Sequence, residues 1–134
     1  MDQIDDAVAA LETQLGAQQQ FFEINATSSL VNMIVALNDG QVAQPWVYLD
    51  GQLSSTEGAP ATGFTFDSSS LDFDPEKVFS QVQAELPQSS PDLFFIEGGK
   101  DGTVQYSVAV SSSQGGQFVV VVGPDGAVKS VDPG

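Results

Sequence analysis

The chain of 134 residues has no histidine, cysteine or arginine, so its chemistry must come from carboxylates, hydroxyls and the lysines at 77, 100 and 129. That removes thiolate nucleophiles, disulfides, cysteine-ligated zinc and the imidazole base or ligand on which most sites depend. Asp67, Asp72 and Asp74 cluster beside Glu76, a spacing at which carboxylate oxygens can hold Ca²⁺. The stretch lacks the Asp-x-Asp-x-Asp-Gly pattern, and Asp74 is already explained as a helix cap. These three aspartates are therefore weak metal candidates, and the expected metal and cofactor content is none. Glu23 and Glu97 stand at nearly matching places in two similar halves of the chain, where paired carboxylates could in principle hydrolyse a glycosidic bond. The plainer reading is a pair of solvated glutamates at strand ends. Ser68 to Ser70 and Ser111 to Ser113 lack both a histidine base and a Gly-x-Ser-x-Gly elbow, and read as loops. Lys77 beside Glu76 reads as a solvated lysine. Asn25-Ala26-Thr27 matches a glycosylation sequon, meaningful only on a eukaryotic secretory route. The residues point away from an enzyme.

Charge narrows the partners. Eighteen acidic residues oppose three basic ones, a formal net charge of -15. Such a surface repels phosphate backbones and anionic headgroups, so nucleic acid and membrane surfaces are not expected partners. No apolar run approaches the roughly 18 residues of a membrane span, and Met-Asp-Gln-Ile-Asp-Asp is unlike the basic start of a signal peptide. Scarce lysine, absent arginine and plentiful Ser, Gln, Gly and Asp suit an extracytoplasmic or secreted setting, with room for a lipid anchor on a segment preceding Met1.

The positioning elements come in two similar sets. Ile4, Ala7, Val8, Leu11 and Leu15 recur at helical spacing, with Asp2, Asp5 and Asp6 favouring the N-terminus and Gly16 offering a stop. A second stripe, Val78, Phe79, Val82 and Leu86, follows the cap Asp74 and Pro75, and Pro87 and Pro91 bracket its exit. Each helix precedes an aromatic pair, Phe21-Phe22 and Phe94-Phe95, 73 residues apart. At the same offset Val31, Met33, Val35 and Leu37 match Val104, Tyr106, Val108 and Val110, and both sets alternate as half-buried strands do. Third strands are expected at Trp46 to Leu49 and Phe118 to Val122. Asp-Gly pairs at 39, 50, 101 and 125 supply the positive φ of tight hairpin turns and predict antiparallel pairing. The expected fold is α+β: residues 1–53 and 74–134 as tandem helix-plus-antiparallel-meander repeats, both helices on one face of a shared sheet. Residues 54–73 form a linker with a short closing strand at Phe64 to Phe66.

Trp46 and Tyr48 share one strand face while Val47 and Leu49 occupy the other, leaving both faces apolar. Either Phe64 and Phe66 cover the second face, or it is an exposed aromatic patch of the kind that marks binding sites. Phe118 to Val122 repeats the problem, as a strand buried on both sides or an edge open to pairing. Trp46, Tyr48, Phe64 and Phe66 are thus the candidate binding residues.

The element order, with the turn Asp125-Gly126-Ala127-Val128 and a final short strand, resembles small PepSY-like domains and the tandem-repeat β-lactamase-inhibitor-protein-like fold. The resemblance implies an extracytoplasmic, non-catalytic protein that binds or inhibits another protein or a peptide through its sheet face or hairpin tips. This chain departs from those inhibitors in lacking disulfides, and the Gln-x-Val-x-Gly loop of cystatins does not occur. A contrasting expectation is a carrier of a small hydrophobic ligand, with Phe21, Phe22, Phe94, Phe95 and Trp46 lining a cavity between helices and sheet. The parts of the two halves that do not match are Trp46, Tyr48, the 54–73 segment and the 111–117 loop, where a specific function would be sought first.

Overall fold

The computed structural model describes residues 3–71, 75–100, 103–123 and 127–133. Asp2, Asp72, Phe73, Asp74 and the turns at Asp101-Gly102 and Asp125-Gly126 lie outside the described residues. The protein is mixed α+β, with two α-helices and one ten-stranded antiparallel sheet. No helix among the described residues is long and apolar enough to cross a membrane.

Helix α1 (Ile4–Leu15) buries Ile4, Ala7, Val8 and Leu11, the stripe its spacing requires. Leu15 is a correction: at 40% exposure it falls off the end of the stripe. Gly16 stops the helix at φ 77°, and its amide donates to the Glu12 carbonyl at 2.9 Å. This is a left-handed cap that a Cβ would strain. Helix α2 (Pro75–Glu85) begins on the expected proline and buries Val78 and Val82, while Phe79 and Leu86 pack half-buried against the same core.

The strands are β1 (Gln20–Ala26), β2 (Leu30–Leu37), β3 (Val42–Leu49), β4 (Gln52–Ser55), β5 (Ala59–Pro60), β6 (Phe66–Asp67), β7 (Ser89–Gly98), β8 (Val104–Ser112), β9 (Gln117–Val122) and β10 (Val128–Pro133). In space they run β4-β3-β2-β1-β7-β8-β9-β10, so the two meanders meet where β1 pairs with β7. Asp50 and Gly51, at φ 52° and 75°, close the two-residue turn that sets Leu49 opposite Gln52. The longer turn of the β2–β3 hairpin places Asn38, Asp39 and Gly40 at positive φ.

Two bulges set the register. In β1, Phe21 pairs with Val35 but Glu23 pairs with Ile34, so Phe22 is an extra residue. Phe21 and Ile24 therefore point to one face although three apart, while Phe94 and Ile96 reach it only two apart. The constant offset expected across the aromatic pairs thus drops by one inside β1. In β7, Pro91 pairs with Val110 and Leu93 with Ala109, leaving Asp92 as the extra residue. Pro91 belongs to this strand and not to the helix exit, a correction explained by a bulge tolerating the missing amide hydrogen.

Following the register, Ile24, Ala26, Val31, Met33 and Val35 lie on one sheet face with Phe94, Ile96, Tyr106, Val108, Val120 and Val122. All are buried, and they form one cluster with the buried residues of both helices. Strand β9 is paired on both edges yet buried on that side only, since Val119 and Val121 are half-exposed on the other.

Of the segment expected as a linker, Ser54 and Ser55 end β4 and residues 59–67 are strapped to the sheet. β5 pairs with β3 at Val42 and Ala43, and β6 pairs with β1 at Gln20 and Phe21. The closing strand is Phe66–Asp67, beginning two residues later than expected, and Phe64 lies outside it.

Candidate functional site

The register decides where each aromatic candidate goes. Trp46 stands opposite Met33, and Tyr48 stands between Val31 and Leu53, so both point to the buried face. Trp46 is 7% exposed, with its indole N–H donating to the Gln44 side-chain oxygen at 3.2 Å; Tyr48 packs half-buried against the core. Phe66 is also buried, its ring 5.8 Å from that of Phe21. Phe64 alone is in solvent, at 59% exposure. The four do not assemble into an aromatic surface patch. Nor do Phe64 and Phe66 cover the second face of β3, where Val47 is half-buried and Leu49 43% exposed. The reason is pairing: β6 adds to β1 with Phe66 opposite Phe21, which commits the ring to the core side.

The linker approaches the sheet closely at one point. A Cβ built on Gly98 would sit 2.7 Å from the Phe64 carbonyl oxygen and 3.1 Å from the Thr65 amide nitrogen. Only a residue without a side chain lets this backbone cross so near β7.

The carboxylates and hydroxyls divide into structural ties and one exposed group. Glu12 receives the Gln19 amide at 2.8 Å and the Ser68 hydroxyl at 2.9 Å, joining the end of α1 to the linker. Asp67 accepts the hydroxyls of Ser69 and Ser70, and the Ser69 bond above all holds its carboxyl below the usual value of 3.8. Ser111 likewise donates to Asp92 across the β7–β8 ladder. The serine clusters thus serve local hydrogen bonding. Asp72 and Asp74 lie outside the described residues, and among the described residues no three His, Cys, Asp or Glu are grouped to hold a metal ion.

Glu23 and Glu97 are direct cross-strand partners at the β1–β7 junction, on the face opposite the buried one. One Glu23 oxygen accepts the Asn25 amide at 2.6 Å, and the Asn25 oxygen in turn accepts the Asn32 amide at 2.9 Å. Thus Asn25 of the sequon is a half-buried strand residue engaged on both sides. The next row along the strands runs Val47, Asn32, Asn25, Phe95, Ser107 and Val121 from β3 to β9. Ser107 is only 5% exposed, yet its hydroxyl keeps contact with solvent and has no partner among the described residues. Phe22, Ile34, Val47, Phe95, Val119 and Val121 are half-buried around these polar groups, and Glu97 is exposed. Asn32, Ser107 and Gln105, the β8 partner of Glu97, were not marked by the sequence, and Asn25 was marked only as part of a sequon. Their signal was the polar alternate positions of strands whose apolar positions were already aligned, but it needed the cross-strand register to become a site.

The expected cavity lining is not assembled either. Phe21 and Phe94 have no accessible surface, so no void large enough for a water touches them, and Phe95 points to the opposite face. A dent of about 270 Å³ lies elsewhere, between the end of α2 and β9, walled by Leu86, Pro87 and Phe118. Neither a protein-family model nor a curated protein nor a solved structure matches the chain.

Proposed function

We propose that this protein is a non-catalytic binding module of the extracytoplasmic space, two copies of a PepSY-like helix-plus-meander unit joined at β1 and β7, that takes a protein or peptide on the sheet face opposite the helices. The symmetric strand order outward from the β1–β7 pair supports the duplication. Burial of Val8, Leu11, Val78 and Val82 in one cluster with a single set of strand positions supports both helices lying on one face.

The observation that carries the reading is the composition of the other face. Across six strands its side chains alternate with buried ones, yet among the large ones none is fully buried, and apolar Ile34, Val47, Phe95, Val119 and Val121 are interleaved with Glu23, Asn25, Asn32 and Ser107. A sheet face that only met water would carry mostly charged and polar residues at such alternate positions. Half-buried apolar groups beside fixed hydrogen-bonding groups are the makings of an interface. The filled contacts around Phe21 and Phe94 favour this reading over a carrier with a cavity between helices and sheet.

The test is capture on immobilised protein from the secreted and envelope fractions of the producing cell. Val47→Lys and Val121→Lys, on the proposed face, abolish retention of the partner, while Leu15→Lys, at an exposed helix position, leaves it intact. Retention unaffected by both face variants, with all proteins folded by circular dichroism, refutes the reading. Fractionation of the native host tests the location: a cytoplasmic pool alone overturns it.

A further inference from the structure

We infer that the centre of this face is a cation subsite, built to receive an arginine side chain from an extended segment of a basic protein partner. The inference deepens the proposed function and rests on that reading of the face.

The first ground is electrostatic. Glu23 and Glu97 stand directly opposite each other, and none of the three lysines forms an ion pair with either, all three being among the described residues. Side chains so placed leave their strands about 4.5–5.5 Å apart, and like charges there destabilise a sheet. Nothing in the packing demands the pair, because Glu97 is exposed and its carboxylate makes no hydrogen bond among the described residues. The second ground is preorganisation. The Asn32–Asn25–Glu23 chain holds one oxygen of Glu23 in place and leaves its second oxygen without a partner among the described residues.

The third ground is independent of the acids. The Ser107 hydroxyl, on a residue 5% exposed, has no partner among the described residues and keeps contact with solvent on the same face, one row from Glu97 and Gln105. A hydroxyl so placed, in contact with solvent and committed to no side chain of its own fold, can accept a hydrogen bond from a group seated on this face. Phe95 lies between Asn25 and Ser107 in that row and supplies a ring beside the acids.

An arginine matches this set. Its guanidinium carries five N–H donors in a planar fork, so it can bridge two carboxylates while its plane or aliphatic stem lies on an aromatic ring. The net charge of -15 draws a basic partner toward this surface and repels a second copy of the chain.

The probe is a short Ser/Thr/Val peptide with one central arginine, titrated into ¹⁵N-labelled protein at physiological ionic strength, where remote charges are screened. Saturable amide shifts are expected at Glu23, Asn25, Phe95, Glu97, Gln105 and Ser107. Replacing arginine with neutral citrulline, or combining Glu23→Gln with Glu97→Gln, weakens binding by about tenfold or more. Combining Glu57→Gln with Glu85→Gln removes the same charge from exposed positions elsewhere and changes binding by less than about twofold. Equal weakening by the two double variants overturns the proposal in favour of diffuse attraction. No saturable shift at millimolar peptide, or shifts centred away from β1 and β7, also overturns it. So does Ca²⁺ alone producing the same shifts, which makes the pair an ion site. If the peptide test fails while partner capture still depends on Val47 and Val121, the face remains the binding surface and only its cation subsite falls.

Discussion

Gly98→Ala tests whether the linker is pressed onto β7. The glycine does not have the positive φ that would forbid a side chain, so on backbone grounds alone alanine should be tolerated. Removing conformational freedom from the unfolded chain would even stabilise the protein by about 0.4–1 kcal/mol. Against this stands the space: the new Cβ would lie 2.7 Å from the Phe64 oxygen, 2.9 Å from the Phe64 carbonyl carbon and 3.1 Å from the Thr65 nitrogen. All three are backbone atoms, so no side-chain rotation relieves the overlap. The strap between β5 and β6 must move by several tenths of an ångström while both its ends stay hydrogen-bonded to the sheet. Overpacking of this kind costs about 1–3 kcal/mol. The net expectation is a loss of about 1–2 kcal/mol, read as a lower urea midpoint with unchanged slope and a fall in Tm of roughly 3–7 °C. Faster proteolysis within residues 61–65 should accompany it. Unchanged or increased stability would refute the close crossing, and with it the placement of Phe66 beside Phe21.

Three further outcomes follow from the same geometry. Phe94→Ala should cost about 3–5 kcal/mol and Phe95→Ala about 1 kcal/mol or less, because neighbouring residues of β7 face the core and the opposite surface respectively; similar melting temperatures for the two would contradict the register. Glu12→Ala removes the acceptor for the Gln19 amide and the Ser68 hydroxyl and should cost about 1–2 kcal/mol by urea denaturation, whereas an unchanged midpoint would mean that this tie adds nothing. Asp67 has a folded-state pKa lowered chiefly by the Ser69 hydroxyl, so its stabilisation is full above the ordinary value of 3.8 and is lost as pH falls below it through the folded value. Asp67→Asn should therefore flatten the acid limb of the stability profile below that pH and leave the dependence above it unchanged, as urea midpoints across the acid range would report.

Much of the fold was legible because it depends on local rules. Ile4, Ala7, Val8 and Leu11 announce a helix by spacing alone, Gly16 its end, and Asp50-Gly51 a hairpin whose two positive φ angles the structure has. The candidate site was legible only in part. Glu23 and Glu97 could be singled out as near-equivalent, yet Asn25, Asn32 and Ser107 could not be joined to them, because three different strand pairings bring these residues together. The bulge at Phe22 was invisible for a similar reason: an extra residue in a strand is defined only against the partner that lacks it.

Local sequence was enough for the period of each element, the Asp50-Gly51 turn and the alternation of Trp46 and Tyr48 against Val47 and Leu49. Those properties follow from backbone geometry and side-chain type, which act over a few residues. Which of the two faces became the core depended on contacts between strands distant in sequence. With both faces of β3 apolar, that choice depended on what lay opposite: Met33 and Val31 of β2, already committed to the buried cluster, drew Trp46 and Tyr48 inward with them. The same commitment left Val47, Phe95 and the opposed glutamates on the other face, so the composition of that face was set by packing between strands that no local pattern relates.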